Sequence, residues 1–459
     1  MMSADHFSEF INKYLQAADP DLIALVDAKN TKYSYQALRQ TVDTYKSAIA
    51  SLQTENDVIC LAPVGFELIC CLLACFENNK TVVFIDPKLG LKNFFKITYG
   101  LKNCAVLYKK MSLSVFLLKI IFSNLKFLKL DFKKISNSQI TDIKNDWLID
   151  GFTSGTTGEI KRIRRQHVHM IKSAEIFSQH IIHIKDDRHL IGYTLSAIRN
   201  LIDHGTAFTP PKNLKNIFSF IETEKINRIS GPPYLSYQAA LAYAENNKTN
   251  VGIKNIVMGG APVQKWLLLM LQKQFPAAVI QNIYGCTECE PIAHARAEDI
   301  LKYQGLGHYV GFPVKELRCE FEQIQDDIFE LIVHGEHVTK EHGHKTGDLI
   351  KKNSDGSLSL VGRKKFILIN DRKKYFGQYE LETLIENQFL NIFKAAVLQK
   401  KMILNIWIEA KKSIPDQSVI EKFVAEQMKQ YQFSKYVIHF TQKLPKDSRH
   451  QWKVQYHLL

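Results

Sequence analysis

Residues 58–85 read Val-Ile-Cys-Leu-Ala-Pro-Val-Gly-Phe-Glu-Leu-Ile-Cys-Cys-Leu-Leu-Ala-Cys-Phe-Glu-Asn-Asn-Lys-Thr-Val-Val-Phe-Ile. Val58–Leu61 and Thr81–Ile85 are short apolar runs and read as buried strands, with a helical apolar segment over 66–77 between them. That is a β-α-β unit, and it implies a parallel sheet and an α/β fold. Upstream, residues 34–55 place Tyr35, Leu38, Val42 and Ile49 near helical spacing. Downstream, the reading predicts helices over 215–228 and 264–275 and strands at Arg228–Ser230 and Val279–Ile283, with a break at Gly231-Pro232-Pro233. Asp327–Val333 and Ser357–Val361 alternate and suit an antiparallel part. From 366 onward the chain changes character. Strands at 366–370, 394–399 and 402–408 with helices at 379–389 and 417–430 read as a small α+β domain. The charged, Gly-containing link Gly362-Arg363-Lys364-Lys365 divides 1–362 from 366–459.

The 459 residues are too many for one simple core, and 23% charged with 46% apolar residues is ordinary for a folded soluble protein. A net charge of +14 favours anionic partners. The lysines are scattered, so nucleic acid is not indicated. No stretch of 18 uninterrupted apolar residues occurs. In 115–134, Lys119, Lys126 and Lys133 recur every seven residues among apolar ones. This suits a basic amphipathic helix, packed on the core or lying on a membrane surface as a peripheral contact. Cys60, Cys70, Cys71 and Cys75 fall in or beside the apolar stretch 59–76 and read as small core residues. Without a secretion signal ahead of them, a reducing cytoplasm is expected. Cys286 and Cys289 form a C-x-x-C with no second pair and no suitably spaced His pair, so no zinc or redox site is expected there.

Residues 153–158 read Thr-Ser-Gly-Thr-Thr-Gly, with Lys161 three positions on. Hydroxyls, glycines that let the backbone fold tightly, and a cation are what wrapping a polyphosphate needs. No Lys directly follows the second Gly, so this is not a Walker A loop. Four further segments fit a nucleotide enzyme. Gly259-Gly260-Ala261-Pro262 follows an apolar run, where glycines let a flat ring approach the backbone. Tyr284-Gly285-Cys286-Thr287-Glu288 offers an aromatic, a hydroxyl and a carboxylate for a base, a phosphate and Mg²⁺. Thr346-Gly347-Asp348 supplies a carboxylate able to accept both hydroxyls of a ribose, and Pro445–Lys453 forms a basic tail.

In this order and spacing the set resembles the adenylate-forming superfamily of acyl-CoA synthetases, nonribosomal-peptide adenylation domains and luciferases, over essentially the whole chain. Thr153–Lys161 matches its phosphate loop, Tyr284–Glu288 its Tyr-Gly-x-Thr-Glu motif, Thr346–Asp348 its ribose motif, and Gly362-Arg363 with Lys365 its hinge. Ser34-Tyr35 with Leu38, and Ile85-Asp86-Pro87, also stand where the family has them. Gly259–Pro262, Glu290–Ala293 and the ending with Asp447, Arg449, His450 and Lys453 look like a bacterial branch of fatty-acyl ligases and the olefin β-lactone synthetase. Ile160 departs from the family's loop proline, and 191–206 and 336–346 are short.

The resemblance implies a large N-terminal domain of parallel and mixed sheets flanked by helices, a hinge at 363–365, and a small mobile C-terminal domain carrying the catalytic lysine. It implies ATP and Mg²⁺, a small-molecule carboxylic acid, and a pantetheine thiol on coenzyme A or an acyl carrier protein. By the same resemblance, Thr153, Ser154, Gly155, Thr156, Thr157, Gly158 and Lys161 cradle the phosphates, and Thr287 contacts the α-phosphate. Glu288 holds Mg²⁺. Gly259, Gly260, Ala261, Pro262, Tyr284 and Gly285 face adenine, and Asp348 and Arg363 the ribose. Lys453, with Lys446 and Lys443 as the alternatives, bridges carboxylate and α-phosphate, and Lys365 sits at the hinge. Tyr193, Leu195, Ile198, Tyr234 and Met258 are expected to line an acyl pocket suited to a fatty acid, with an aromatic or polyene acid second. The alternatives are β-lactone formation from a β-hydroxy acid, and a degenerate ATP-binding module or scaffold.

Overall fold

The computed structural model describes residues 6–52, 57–61, 65–85, 94, 96–98, 101, 104–108, 113–122, 125–130, 147–153, 161–182, 184, 186–411, 416–447 and 451–459. Ser154, Gly155, Thr156, Thr157, Gly158, Ile160, Asp86, Pro87, Lys133, Arg449 and His450 lie outside them, and of Thr153, Lys161 and Leu195 only the backbone is described. The chain forms two compact units that meet in sequence at Ser230 and Gly231.

The first unit contains the β-α-β element read from the sequence. Strand β3 (Asp57–Leu61) runs parallel to β4 (Thr81–Phe84), and helix α3 (Phe66–Glu77) connects them. Of the eleven residues Phe66–Phe76 in α3, all but Glu67 are buried, including Cys70, Cys71 and Cys75, because the helix is apolar all round and packs on both strands and on helix α2 (Tyr35–Ile49). The sheet continues through β5 (Cys104–Tyr108), β6 (Lys126–Lys129), β7 (Trp147–Thr153) and β8 (Lys161–Gln166) in the order β6-β5-β3-β4-β7-β8, parallel except for the β7–β8 hairpin. That hairpin brings Thr153 opposite Lys161, the two ends of the Ser/Thr/Gly loop. A second group, β1 (Ile23–Val26), β2 (Lys32–Ser34), β9 (Arg188–Ile191), β10 (Thr206–Phe208) and β11 (Arg228–Gly231), pairs in parallel apart from β1–β2. Helices α1 (His6–Ala17), α4 (Leu113–Ile121), α5 (His167–His180), α6 (Thr194–Ile202) and α7 (Ile217–Thr223) complete the unit.

Two expectations are corrected here. The helix expected over 115–130 is α4 followed by strand β6. Phe127 packs on one apolar cluster and Leu128 on another, so the period there is two, and a free edge of β5 takes the segment as a strand. The helix expected over 215–228 ends at Thr223, and Lys225 with φ of 46° turns the chain left-handed before β11.

The second unit starts with helix α8 (Pro233–Glu245) and the parallel pair β12 (Asn255–Gly259) and β13 (Val279–Cys286), joined through helix α9 (Lys265–Gln274). It then becomes antiparallel: β14 (Cys289–Arg296), helix α10 (Ala297–Lys302), β15 (His308–Pro313), β16 (Arg318–Gln325), β17 (Ile328–His334), β18 (His344–Lys352) and β19 (Leu358–Arg363), ordered β16-β17-β18-β19-β15-β14-β13-β12. Residues 366–459 build a smaller α+β body. It holds the pair β20 (Leu368–Ile369) and β21 (Tyr375–Phe376), a sheet of β22 (Ile392–Lys400), β23 (Ile403–Ala410) and β24 (Tyr436–Thr441), and helices α11 (Gln378–Gln388) and α12 (Gln417–Tyr431). Its own core contains Leu381, Ile385, Val397, Ile406, Ile420 and Val424. The architecture is the α/β class expected: a large mixed-sheet part flanked by helices, then a small α+β part.

Candidate active site

Strands β13 and β14 pair through Cys286 and Cys289, which leaves Thr287 and Glu288 as a two-residue tip. The tip is pinned from outside, since the Thr339 N–H donates to the Glu288 carbonyl at 2.9 Å. Short antiparallel connections of this kind hold their side chains in fixed directions. The motif at 284–288 therefore presents its hydroxyl and carboxylate at a strand end, and the Glu288 side chain keeps 21% of its surface exposed.

Strand β18 supplies the second element. Its positions 344, 346 and 348 alternate onto one buried face. The Thr346 hydroxyl donates to the Leu331 carbonyl at 2.9 Å and accepts from the Asp348 N–H at 3.1 Å, which fixes the carboxylate's approach. Between them Gly347 has φ of +68°, and a Cβ there would meet nothing within 4 Å. The glycine serves the backbone conformation and leaves open space beside Asp348.

Asp348 stands directly opposite Arg363 across β18 and β19, and Arg363 Nη1 donates to its carboxylate at 2.5 Å. Tyr284 lies on β13, several strands away in the sheet order, yet its hydroxyl donates to the other Asp348 oxygen at 2.8 Å. The sheet therefore curls enough to bring β13 and β18, four places apart in it, together at this carboxylate. Burial, followed by the Asp348 charge, holds the Tyr284 phenol well above its ordinary value. Asp348 holds the Arg363 guanidinium above its own. Two of the carboxylate's roughly four acceptor positions remain for a ligand.

Lys453 joins this cluster from the C-terminal tail. Residues 451–455 return beside 445–447, where the Asp447 N–H donates to the Lys453 carbonyl at 2.9 Å and the Gln455 N–H to the Pro445 carbonyl at 2.9 Å. The Asp447 carboxylate also accepts from the Lys453 N–H at 3.3 Å. Burial lowers the Lys453 ammonium from its ordinary value, Arg363 lowers it further, and Asp348 and Asp447 act against both.

Trp452, next to Lys453, is wholly buried, and its indole donates to the Pro262 carbonyl and to Gln264 Oε1, both at 3.0 Å. Rings of Tyr237, Trp266 and Phe393 surround it at centroid distances of 5.7, 5.9 and 5.1 Å. Lys394 Nζ donates to the Trp452 carbonyl at 2.9 Å. A small cavity beside Lys453 is lined by Pro262, Gln264, Glu382, Glu386, Lys394 and Tyr456.

The structure thus brings together Tyr284, Gly285, Thr287, Glu288, Asp348, Arg363 and Lys453. The Gly259–Pro262 segment ends β12, with Gly259 opposite Ile283 and Gly260 exposed at φ of +79°, and it touches the tail through Pro262 and Trp452. Lys365 is exposed on the turn after β19, its ammonium 5.7 Å from the Phe366 ring. Among the expected acyl-pocket residues, Tyr193 and Tyr234 are half-buried, Ile198 belongs to the first unit's apolar core, and Met258 is fully buried in β12. Sequence reading missed Trp452, Gln264, Lys394 and the buried acids Glu382 and Glu386. The signal was faint: Trp452 adjoins the proposed lysine, and the two acids sit one helical turn apart on α11.

The model of the AMP-binding enzyme family matches residues 15–341, and the chain belongs to that family, a class of adenylate-forming enzymes. Solved structures share the fold. The amide bond synthetase McbA from Marinactinospora thermotolerans superposes with a TM-score of 0.82 at 16% identity, covering 98% of this chain and 99% of that one. The o-succinylbenzoate CoA synthetase MenE from Bacillus subtilis, solved with an acyl-adenylate intermediate, gives 0.78 at 17% identity, with 98% and 97% covered. A fatty acyl CoA synthetase of Mycobacterium tuberculosis gives 0.73 at 15% identity, with 99% and 97% covered. A search of curated proteins returns no match.

Proposed function

We propose that this protein activates a carboxylic acid, a fatty acid first among candidates, by forming an acyl-adenylate from ATP and then passing the acyl group to a pantetheine thiol of coenzyme A or an acyl carrier protein. The observation that carries this reading is the meeting of Lys453 with the Asp348–Arg363–Tyr284 cluster in a single unit. In the first step a carboxylate oxygen attacks the α-phosphorus, the bond to the bridging oxygen breaks, and pyrophosphate leaves with the electron pair. Both reactants are anions, so the site must offset repulsion and align them. Lys453 is suited to bridge the two, since its partly desolvated ammonium is a compact point charge on a flexible stem. Asp348 would take the ribose hydroxyls with its remaining acceptor positions, and the loop 153–161 the outer phosphates. The Glu288 carboxylate, partly exposed at the hairpin tip, fits Mg²⁺ binding, and that ion would supply charge neutralisation at the phosphates. In the second step the thiol sulfur attacks the acyl carbon and AMP leaves, after a rotation of 366–459 about Arg363–Lys365.

The eight cysteines are free, which suits a cytoplasmic setting. No described helix is long and apolar enough to cross a membrane. Peripheral membrane contact now rests on α4, which exposes Phe116, Leu117, Ile120 and Ile121.

ATP–pyrophosphate exchange across fatty, aromatic and β-hydroxy acids tests the first step. Exchange with at least one fatty acid is expected, and silence across the whole panel would leave the scaffold reading. Intact-mass analysis with coenzyme A, with carrier protein, and with neither assigns the second step. A lactone formed without any thiol would replace the thioester reading with the β-hydroxy-acid one.

A further inference from the structure

We propose that Cys286, Glu288 and His344 form a binding site for one divalent cation of the zinc class in the nucleotide-free protein. A thiol sulfur, a carboxylate oxygen and an imidazole nitrogen from these residues all lie within 4.8 Å of one another. Cys286 had no metal-ligating partner apparent in sequence, but β18 carries His344 to the tip of the β13–β14 hairpin beside it; Cys289 is not part of the set.

The geometry needs little adjustment. Glu288 Oε2 and His344 Nε2 are 3.9 Å apart. Two ligands on a tetrahedral ion with bonds of about 2.0–2.3 Å stand about 3.5 Å apart. The remaining contraction falls within rotation of the partly exposed Glu288 side chain. His344 is 7% exposed and turns Nε2 toward Glu288, while the other ring nitrogen, Nδ1, is buried without a hydrogen-bond partner and can carry the ring proton as Nε2 coordinates. Asp348 lies outside this donor set and is engaged by Arg363 and Tyr284. Lys453 is the opposing charge, because its ammonium faces both Cys286 and Asp348.

The donor set selects the ion. Sulfur and imidazole suit zinc, cobalt and nickel, whereas Mg²⁺ prefers hard oxygens in octahedral array. Three protein ligands leave a fourth position open, the pattern of zinc sites that bind an exchangeable group. Mg²⁺ would use only Glu288 of the three and draw its other ligands from phosphates and water. The two ions thus share only this one carboxylate, and without phosphates Mg²⁺ has too few ligands here to displace the softer ion. The zinc-class site does not depend on the acid-activating reading, because it is assayed without nucleotide.

Titrating Co²⁺ into the metal-stripped full chain tests it. The expected result is one equivalent bound, with a near-ultraviolet thiolate-to-cobalt charge-transfer band that Zn²⁺ removes and excess Mg²⁺ does not. Cys286→Ser should abolish the band. His344→Ala should weaken cobalt binding by more than about tenfold, since even residues behind the ligands typically cost 10–100-fold. Circular dichroism confirms the fold of each variant, and Glu288→Gln, which keeps the side-chain shape, should weaken binding as a third check. No band in the wild-type protein, or a band unchanged in Cys286→Ser, overturns the proposal whatever the exchange assay shows.

Discussion

Two buried polar clusters in the second unit are built on opposite rules. Around Asp348, opposite charges face each other: Arg363 across the strand pair, the Tyr284 hydroxyl, and Lys453 from the tail. Around α11, two acids lie one helical turn apart against a single buried cation, Lys394, so like charges outnumber their counter-ion. Glu382 accepts the Val397 N–H at 2.8 Å and the Tyr456 hydroxyl at 2.8 Å, and Glu386 accepts the Ala395 N–H at 2.9 Å. Burial raises both acids, and each Glu382 oxygen already has a donor. The first cluster leaves acceptor positions beside open space at Gly347. The second commits its carboxylates to β22 and the tail. One is arranged to hold a ligand, and the other to hold the segment that carries Lys453.

The largest test breaks the first cluster at the member that comes from the C-terminal tail. Lys453→Ala should lower adenylate formation by at least about 10²–10³-fold, as loss of a transition-state donor does. ATP binding measured by calorimetry should persist. If exchange with a good acid survived, Lys453 would be a structural member like the acids of α11. Next, Asp348→Ala leaves the Arg363 guanidinium without its partner. Removing one partner of a buried pair costs about 3 kcal/mol, which urea unfolding would read, and ATP affinity should fall as well. Arg363→Met in that background should recover part of the stability but none of the ATP affinity. A full recovery of both would mean the pair serves folding alone.

A smaller test addresses the holding role. Trp452→Phe keeps an apolar ring among Tyr237, Trp266 and Phe393 but deletes the donor to Pro262 and Gln264. It should cost about 1 kcal/mol of stability. The turnover of adenylation should fall while the KM for ATP stays constant, because the indole positions the lysine and touches no nucleotide. A raised KM with normal turnover would place Trp452 on the nucleotide side instead.

The two clusters also differ in how legible they were. Tyr284, Glu288, Asp348 and Lys453, which the structure brings together, were singled out because the nucleotide chemistry proposed for them favours particular residue types with particular neighbours in sequence. The β-α-β unit could be found because a run as apolar as α3 has nowhere to go but a core. Glu382, Glu386 and Lys394 gave no such signal, because they are compensated by one another, by Tyr456 and by backbone groups that only the folded chain brings together. His344 was hidden for a similar reason, its partners being brought by sheet curvature. The Lys119–Lys126–Lys133 spacing misled, because a period of seven says nothing when its members fall in a helix, a strand and beyond. Phe127 and Leu128 packing on opposite clusters are what a strand reading required.

The smallest expected effect separates the clusters by pH. His308 lines the cavity beneath Lys453, packs edge-on to Tyr379 at 5.2 Å, and is pushed down to about 3 by burial and then by the Lys394 charge. In the unfolded chain it titrates near 6.5. Between pH 7 and 6 the unfolded state therefore takes up protons that the folded state refuses, and stability falls as pH falls. The size is about 0.7 kcal/mol over that unit, from the uptake at a pKa near 6.5. Glu386 acts with the opposite sign. Its raised native carboxyl protonates ahead of the unfolded one, so its contribution rises as pH falls. Comparing His308→Asn with the wild-type chain by urea unfolding at both pH values cancels the Glu386 part. The wild-type chain should lose about 0.7 kcal/mol more than the variant on going to pH 6. Equal losses would mean that water reaches the imidazole, and the α11 cluster would then be an open site like the one at Asp348.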